Sequence, residues 1–396
     1  MPIFETLLYL FVISITASPI YHLFGFKVSF LIMIGMAICA KKKRIDKSLF
    51  AMSIFLLLFI FLKSSNLFGG NYAPYADYFS ATTYVQTIIL LVISVLLLPF
   101  IDECSDKTLK RATDLFFIIY HSGIVFTIGL MMIYGNNIYR SKSTVGGLLI
   151  APQYFLFIAI FMGMLFTYLI IKNKRRRPIN FVLLGVNALY VVMSSYTTQI
   201  LFFVCGVSLI LFLCLIKKNL YRILAIVSLV VVIIMLNEYL PVLLKTINDT
   251  FFSNNDSVYS RINELVMWLS LRESTGTDFA KRNELVMLSV RTFFQYPAVG
   301  VPYSSYNSSA GLTIGSHAQW SDDIARLGLV GMVVWLKYIS VIGEKVLFRF
   351  SSEKNPLKTA IVLTFLFYGF FNPFLTESFV IIAFLTTRFE KSLLQR

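Results

Sequence analysis

The stretch LIAPQYFLFIAIFMGMLFTYLII (149–171), followed at once by KNKRRR (172–177), decides the architecture. The run has no charged residue and exceeds the about 20 residues needed to cross the hydrocarbon core of a bilayer. The cations behind it (Lys172, Lys174, Arg175, Arg176 and Arg177) are what a cytoplasmic loop carries after such a span. The pattern recurs along the chain. Apolar runs of comparable character lie at 4–21, 25–40, 48–63, 84–101, 114–135, 149–171, 179–195, 199–216, 220–237, 326–343, 359–373 and 376–389. The 396 residues are 57% hydrophobic and 14% charged, with a mean hydropathy of +0.76. A soluble domain has about 45–50% and about 25%, so too much apolar surface is present for a water-soluble globule. The sequence predicts an all-α polytopic membrane protein of about 12 transmembrane helices. The first run has neither a basic leader nor a small-residue cleavage site, and reads as a span rather than a signal peptide.

Charge sets the expected orientation. The net +15 falls in short blocks between apolar runs, which points to anionic lipid headgroups and not to nucleic acid. If 41–47 is cytoplasmic, so are 102–113, 172–178, 217–219, 344–358 and the C-terminal tail. Together with Arg222 and with Arg388 at the end of the last run these hold 23 of the 35 Lys and Arg residues, whereas the opposite short loops 64–83, 136–148 and 194–198 hold only Arg140 and Lys142. Both termini are then cytoplasmic. The long segment 238–325 falls outside, dividing the chain into 1–237 (spans one to nine), 238–325 (a large periplasmic loop) and 326–396 (spans ten to twelve). Its aliphatic and aromatic periodicity predicts amphipathic helices lying on the membrane, and Asn-Glu-Leu-Val-Met occurs in it twice, at 263–267 and 283–287. Cys39, Cys104, Cys205 and Cys214 show no paired or metal-ligand spacing and read as packing residues.

The outer-side cations are few: Arg140, Arg261, Arg272, Lys281, Arg282 and Arg291. An arginine fork suits phosphate oxygens, so two or three converging over the membrane would hold a lipid-linked diphosphate. Each could instead pair with Glu264, Glu273, Asp278 or Glu284, or face water. His22 and His121 read as structural. His317 follows Gly315-Ser316 and precedes a helix at the membrane surface, where a neutral imidazole could take a proton from a sugar hydroxyl or simply cap that helix. Asp322 and Asp323 either orient the histidine or bind acceptor hydroxyls, or pair with Arg326 one turn on. The Gly-, Ser- and Tyr-rich stretch 300–316, Tyr303 included, and the loop 64–83 are assigned acceptor contact on exposure. No segment assigned to the cytoplasm is long enough to fold a nucleotide-sugar transferase domain.

His317-Ala-Gln-Trp-Ser-Asp-Asp-Ile-Ala-Arg-Leu-Gly328 resembles the His-x10-Gly motif of the O-antigen ligase and polymerase superfamily. Arg282 through Pro297-Ala-Val-Gly300 is similar to that family's arginine-bearing helix running into a Pro-x-x-Gly turn. Arg140 with Gly146-Gly147 and Ala151-Pro152-Gln153 is similar to its third element. Val301 stands where the family often has a second glycine. The resemblance implies an integral membrane glycosyltransferase of the inner membrane, without metal or other cofactor, acting at the periplasmic face. The implied donor and acceptor are undecaprenyl diphosphate-linked oligosaccharides, with a chain-length regulator as a further partner. Arg140 and Arg282 would hold the diphosphate, Arg261 or Arg291 would assist, and His317 would activate the acceptor. Repeat-unit polymerisation, in O-antigen or capsule synthesis, is the leading expectation, ligation to a lipid A core the alternative. A lipid-linked oligosaccharide flippase or secondary transporter is the reading from another class.

Overall fold

The computed structural model describes residues 2–39, 47–64, 105–135, 150–172, 177–194, 196–216, 240–251, 278–301, 314–315, 318–342 and 356–372, with short pieces between 259 and 267. The described chain is all-α. Its helices are α1 (Pro2–Thr16), α2 (Ser18–Phe24), α3 (Phe26–Cys39), α4 (Lys47–Ser64), α5 (Asp106–Tyr134), α6 (Tyr154–Lys172), α7 (Arg177–Met193), α8 (Thr197–Leu215), α9 (Leu240–Phe251), α10 (Asp278–Gln295), α11 (Gln319–Ile342) and α12 (Pro356–Phe371).

The run that decided the architecture becomes the central helix. α6 is apolar all round, the mark of a helix buried all round, and α7, α8 and α12 pack against it. α1 and α5 complete the same core through Phe11, Phe116 and Tyr120. Close approach is made possible by small residues, as in membrane bundles generally: a Cβ at Gly163 would stand 2.5 Å from the Phe203 ring of α8. Polar cross-links fix the register. The Tyr120 hydroxyl donates to Asn187 at 2.9 Å, the Tyr154 hydroxyl donates to the Ile15 carbonyl, and His22 Nε2 donates to the Ile150 carbonyl at 2.8 Å. His121 Nδ1 donates to the Phe117 carbonyl at 2.9 Å within its own helix. Opposite these contacts, Ile118, Val125, Met132, Phe181 and Val204 stay exposed, as lipid-facing positions would.

Four of the described helices are long and apolar enough to cross a membrane: Lys107–Tyr134, Tyr154–Lys172, Thr198–Leu215 and Gln319–Val341. The expected first span is bent, since α1 and α2 meet at 83°. The break falls at Ala17, in extended backbone before Ser18-Pro19, where proline removes a helical donor. The expected runs at 25–40, 48–63, 179–195 and 359–373 appear as shorter apolar helices. Those at 84–101, 220–237 and 376–389 lie outside the described residues, as does Cys104. The other three cysteines form no disulfide among the described residues.

Three expected boundaries move. α5 begins at Asp106 rather than 114, because Ser105 caps it, accepting from the Thr108 amide at 3.1 Å, and because Thr108, Leu109 and Ala112 are buried while Lys107 and Lys110 face outward. α6 begins at Tyr154 rather than 149, since the Ala151 amide donates to Thr127 Oγ1 at 2.8 Å, drawing the chain ahead of it off the helical path. α11 begins at Gln319, inside the segment assigned to the loop, and breaks at Gly328. α9 and α10 are the two longer helices described within 238–325.

Candidate functional site

α10 presents one stripe to α11. Ser289 and Thr292 are buried, Leu285, Phe293 and Tyr296 half-buried, at the three- and four-residue spacing of one helical face. Arg282, half-buried and engaged by neighbouring groups, lies on the same stripe one turn before Leu285. Arg291 is exposed. Nine residues separate the two arginines, which at 3.6 residues per turn puts them on opposite sides of the helix and about 13 Å apart along it. The helix therefore does not bring them together.

Beyond α10 the chain turns through Pro297-Ala298-Val299-Gly300, closed by the Gly300 amide donating to the Tyr296 carbonyl at 2.9 Å. This turn enters the break in α11. At Gly328 (φ 60°, ψ −171°) the backbone takes a conformation open essentially to glycine alone, so the usual bonds one turn back are not made there. The turn replaces them. Leu329 N–H donates to the Pro297 carbonyl at 2.8 Å, Val330 N–H to the Ala298 carbonyl at 3.1 Å, and Val301 N–H to the Ala325 carbonyl at 2.9 Å. A Cβ on Gly300 would stand 2.5 Å from the Ala325 carbonyl oxygen, and one on Gly328 2.5 Å from the Gly300 nitrogen. The two glycines thus face each other across a joint with no room for a side chain. Val301 is buried and packs with Ile314 and Ala325, so the place where a second glycine was expected holds an apolar anchor.

A second tie joins the segment before α11 to the same face of α10. The Ser289 hydroxyl donates to Asp322 Oδ1 at 2.5 Å and accepts from the Gly315 amide at 2.9 Å. Asp322 Oδ2 accepts from the Ala318 amide at 3.1 Å. Gly315 lies against the α10 backbone, where an added Cβ would meet the Leu285 carbonyl. Both oxygens of Asp322 are thereby engaged, at 2% exposure, which suits it to hold the 315–318 segment rather than to touch an acceptor. Asp323 is also buried. Its Oδ2 accepts from Gln319 Nε2 at 2.8 Å and Trp335 Nε1 at 3.0 Å, Arg326 interacts with it electrostatically, and its Oδ1 has no hydrogen-bond partner among the described residues. Trp320 Nε1 donates to the Leu366 carbonyl at 2.8 Å, fastening the start of α11 to α12.

Of the expected site residues, Arg282, Asp322 and Asp323 belong to this α10–α11 unit. Arg140, Arg261, Tyr303 and His317 lie outside the described residues, although Gly315 and Ala318 on either side of His317 are both anchored. Sequence reasoning passed over Ser289, the small polar residue of the α10 stripe that bonds both Asp322 and the Gly315 amide, and Trp335, whose indole nitrogen serves a carboxylate twelve residues earlier. Among the described residues no three His, Cys, Asp or Glu side chains gather as a metal would require. No family model matches the chain, and no curated protein matches it.

Proposed function

We propose that the chain is a glycosyltransferase of the cytoplasmic membrane that takes its glycan from a polyprenyl diphosphate at the outer face, and that it polymerises lipid-linked repeat units. One observation carries the reading. The arginine helix with its Pro-x-x-Gly turn and the helix behind His317 are some thirty residues apart in sequence, yet they are locked together through Gly300 and Gly328. A joint that excludes every side chain but hydrogen is a demanding way to hold two helices, and it suits a pair that must present groups to one substrate. Gly315 rests on α10 one turn from Arg282, and His317 follows it by two residues in the sequence, which supports assigning the imidazole and the Arg282 fork to one sugar–diphosphate linkage.

In that site Arg282, with Arg140, binds the diphosphate oxygens and stabilises the charge that grows as the anomeric carbon–oxygen bond breaks. A ring nitrogen of His317 takes the proton of the attacking acceptor hydroxyl, whose oxygen forms the new bond to the anomeric carbon, and polyprenyl diphosphate leaves. The donor's own linkage drives transfer, so neither a nucleotide nor a metal is required. Asp322 and Ser289 act as positioning residues, fixing the chain on either side of His317.

The test is purified protein in nanodiscs with a synthetic polyprenyl diphosphate repeat unit. A ladder of lengthening lipid-linked glycans supports the polymerase. Product formed only when lipid A core is supplied replaces it with a ligase. Folded protein that makes neither product, and instead moves the intact lipid-linked unit across the bilayer, overturns the transferase reading.

A further inference from the structure

Seven side-chain polar atoms are buried without a hydrogen-bond partner among the described residues, and two of them lie close together in the fold: Gln199 Oε1, in the first turn of α8, and Asn372 Nδ2, just past the end of α12. They belong to one place. Gln199 Nε2 donates to the Tyr368 hydroxyl at 2.5 Å, and Asn372 follows Tyr368 by one turn on the same face, its amide bonded to the Tyr368 carbonyl at 2.9 Å. Tyr196 caps the same end of α8, and Gln153, just before α6, donates to the Tyr196 hydroxyl at 3.2 Å. α6 and α8 begin here and α12 ends here, so this is one end of the bundle, the end that the basic residues assign to the outside. Swapping the oxygen and nitrogen of the Gln199 amide changes nothing essential, since one end of it meets Tyr368 and the other meets no described group.

An unpaired buried amide costs free energy that proteins seldom leave unrecovered. Here one acceptor and one donor sit on residues that are each bonded to Tyr368, and Gln153, Tyr196, Gln199, Tyr368 and Asn372 carry no formal charge at neutral pH. Aromatic faces border them: the Tyr368 ring centroid lies 4.7 Å from that of Phe157 and 5.0 Å from that of Phe202, which is 5.9 Å from Phe371. Neutral groups that donate and accept side by side, next to aromatic rings, match a sugar, whose hydroxyls do both and whose C–H faces stack. A phosphate would call for cations, and an acyl chain would leave the amides unpaired.

We infer that this end of α6, α8 and α12 is a carbohydrate-binding subsite in which Gln199 and Asn372 hydrogen-bond a neutral sugar. It rests on the proposed function for its place in the reaction, where it holds a sugar of the acceptor. Trp320 supports that place, because its bond to Leu366 ties the start of α11, three residues after His317, to α12 half a turn before Tyr368.

The experiment uses the full chain in nanodiscs. The probe is the free oligosaccharide released by mild acid from the lipid-linked repeat unit of the source bacterium. Saturation-transfer NMR reads contact with sugar protons without turnover. Wild type is expected to bind, and the Gln199→Leu/Asn372→Leu pair to bind about tenfold or more weakly at an unchanged melting temperature. Tyr368→Phe keeps the ring stack and frees the Gln199 amide. It is expected to weaken binding by a smaller factor, and it decides the matter if the leucine pair does not fold. No binding by wild type, or equal binding by wild type and variants, overturns the subsite. A transfer assay alongside separates the two proposals. An unchanged acceptor KM in the variants defeats the subsite and leaves the transferase; sugar binding without any transfer defeats the transferase and leaves the subsite.

Discussion

Replacing Gly328 by alanine should open the joint between α10 and α11 while leaving the main bundle closed. Alanine at φ 60°, ψ −171° carries about 1–3 kcal/mol of backbone strain. Its Cβ would also stand 2.5 Å from Gly300 N and 2.6 Å from the Ala298 carbonyl oxygen, a clash with backbone that no rotamer change relieves. The simplest escape is withdrawal of the 297–301 turn, which gives up three hydrogen bonds worth about 0.5–1.5 kcal/mol each. The local destabilisation is then about 3–7 kcal/mol. At about 1.4 kcal/mol per decade, amide exchange at Val301, Leu329 and Val330 should quicken by about 100-fold or more, read by hydrogen–deuterium exchange in nanodiscs. The core shared by α1, α5, α6, α7 and α8 does not include the joint, so its amides should keep wild-type protection. Gly129→Ala is the control, since nothing lies within 4 Å of its added Cβ. Wild-type protection at all three amides in Gly328→Ala would refute the reasoning.

Ser289→Ala strips Asp322 and the Gly315 amide of a shared partner and should cost about 1–3 kcal/mol, seen as faster exchange at Gly315 and Ala318; unchanged exchange would mean that the serine is dispensable. Arg282→Ala should lower transfer by about 100-fold to 1000-fold, and Arg291→Ala, exposed on the opposite side of α10, by no more than about threefold. Equal losses in a transfer assay would show that the helix is read in the wrong rotation. Gly163→Leu drives a side chain into the Phe203 ring and should destabilise the bundle by about 1–3 kcal/mol, measured as a lower melting temperature.

Much of the bundle was legible because a long uncharged run has few uses outside a bilayer or a buried core. The 149–171 run became the central helix, and the runs at 179–195 and 199–216 became α7 and α8 nearly unchanged. What shifted was set by distant partners. The start of α6 depends on Thr127, twenty-four residues before Ala151, and no local pattern announces that bond. The start of α5 was within reach, as Ser105 supplies a capping side chain ahead of a polar and apolar alternation. Gly300 and Gly328 were marked only through their place in motifs. Their physical reason is that each occupies the space the other's side chain would need, and a single sequence does not show that pairing. Asp322 was visible as a carboxylate, but the groups that engage it, a serine hydroxyl on another helix and a backbone amide, carry no signal of charge or spacing.

The most direct measurement is single-turnover transfer by the purified protein in EDTA, with a synthetic polyprenyl diphosphate repeat unit as donor and acceptor. The account expects product from wild type, with losses of about 100-fold or more in both Arg282→Ala and His317→Ala at wild-type melting temperatures. Wild-type rates in either variant, or no product from folded wild type with either a repeat unit or lipid A core as acceptor, would contradict it.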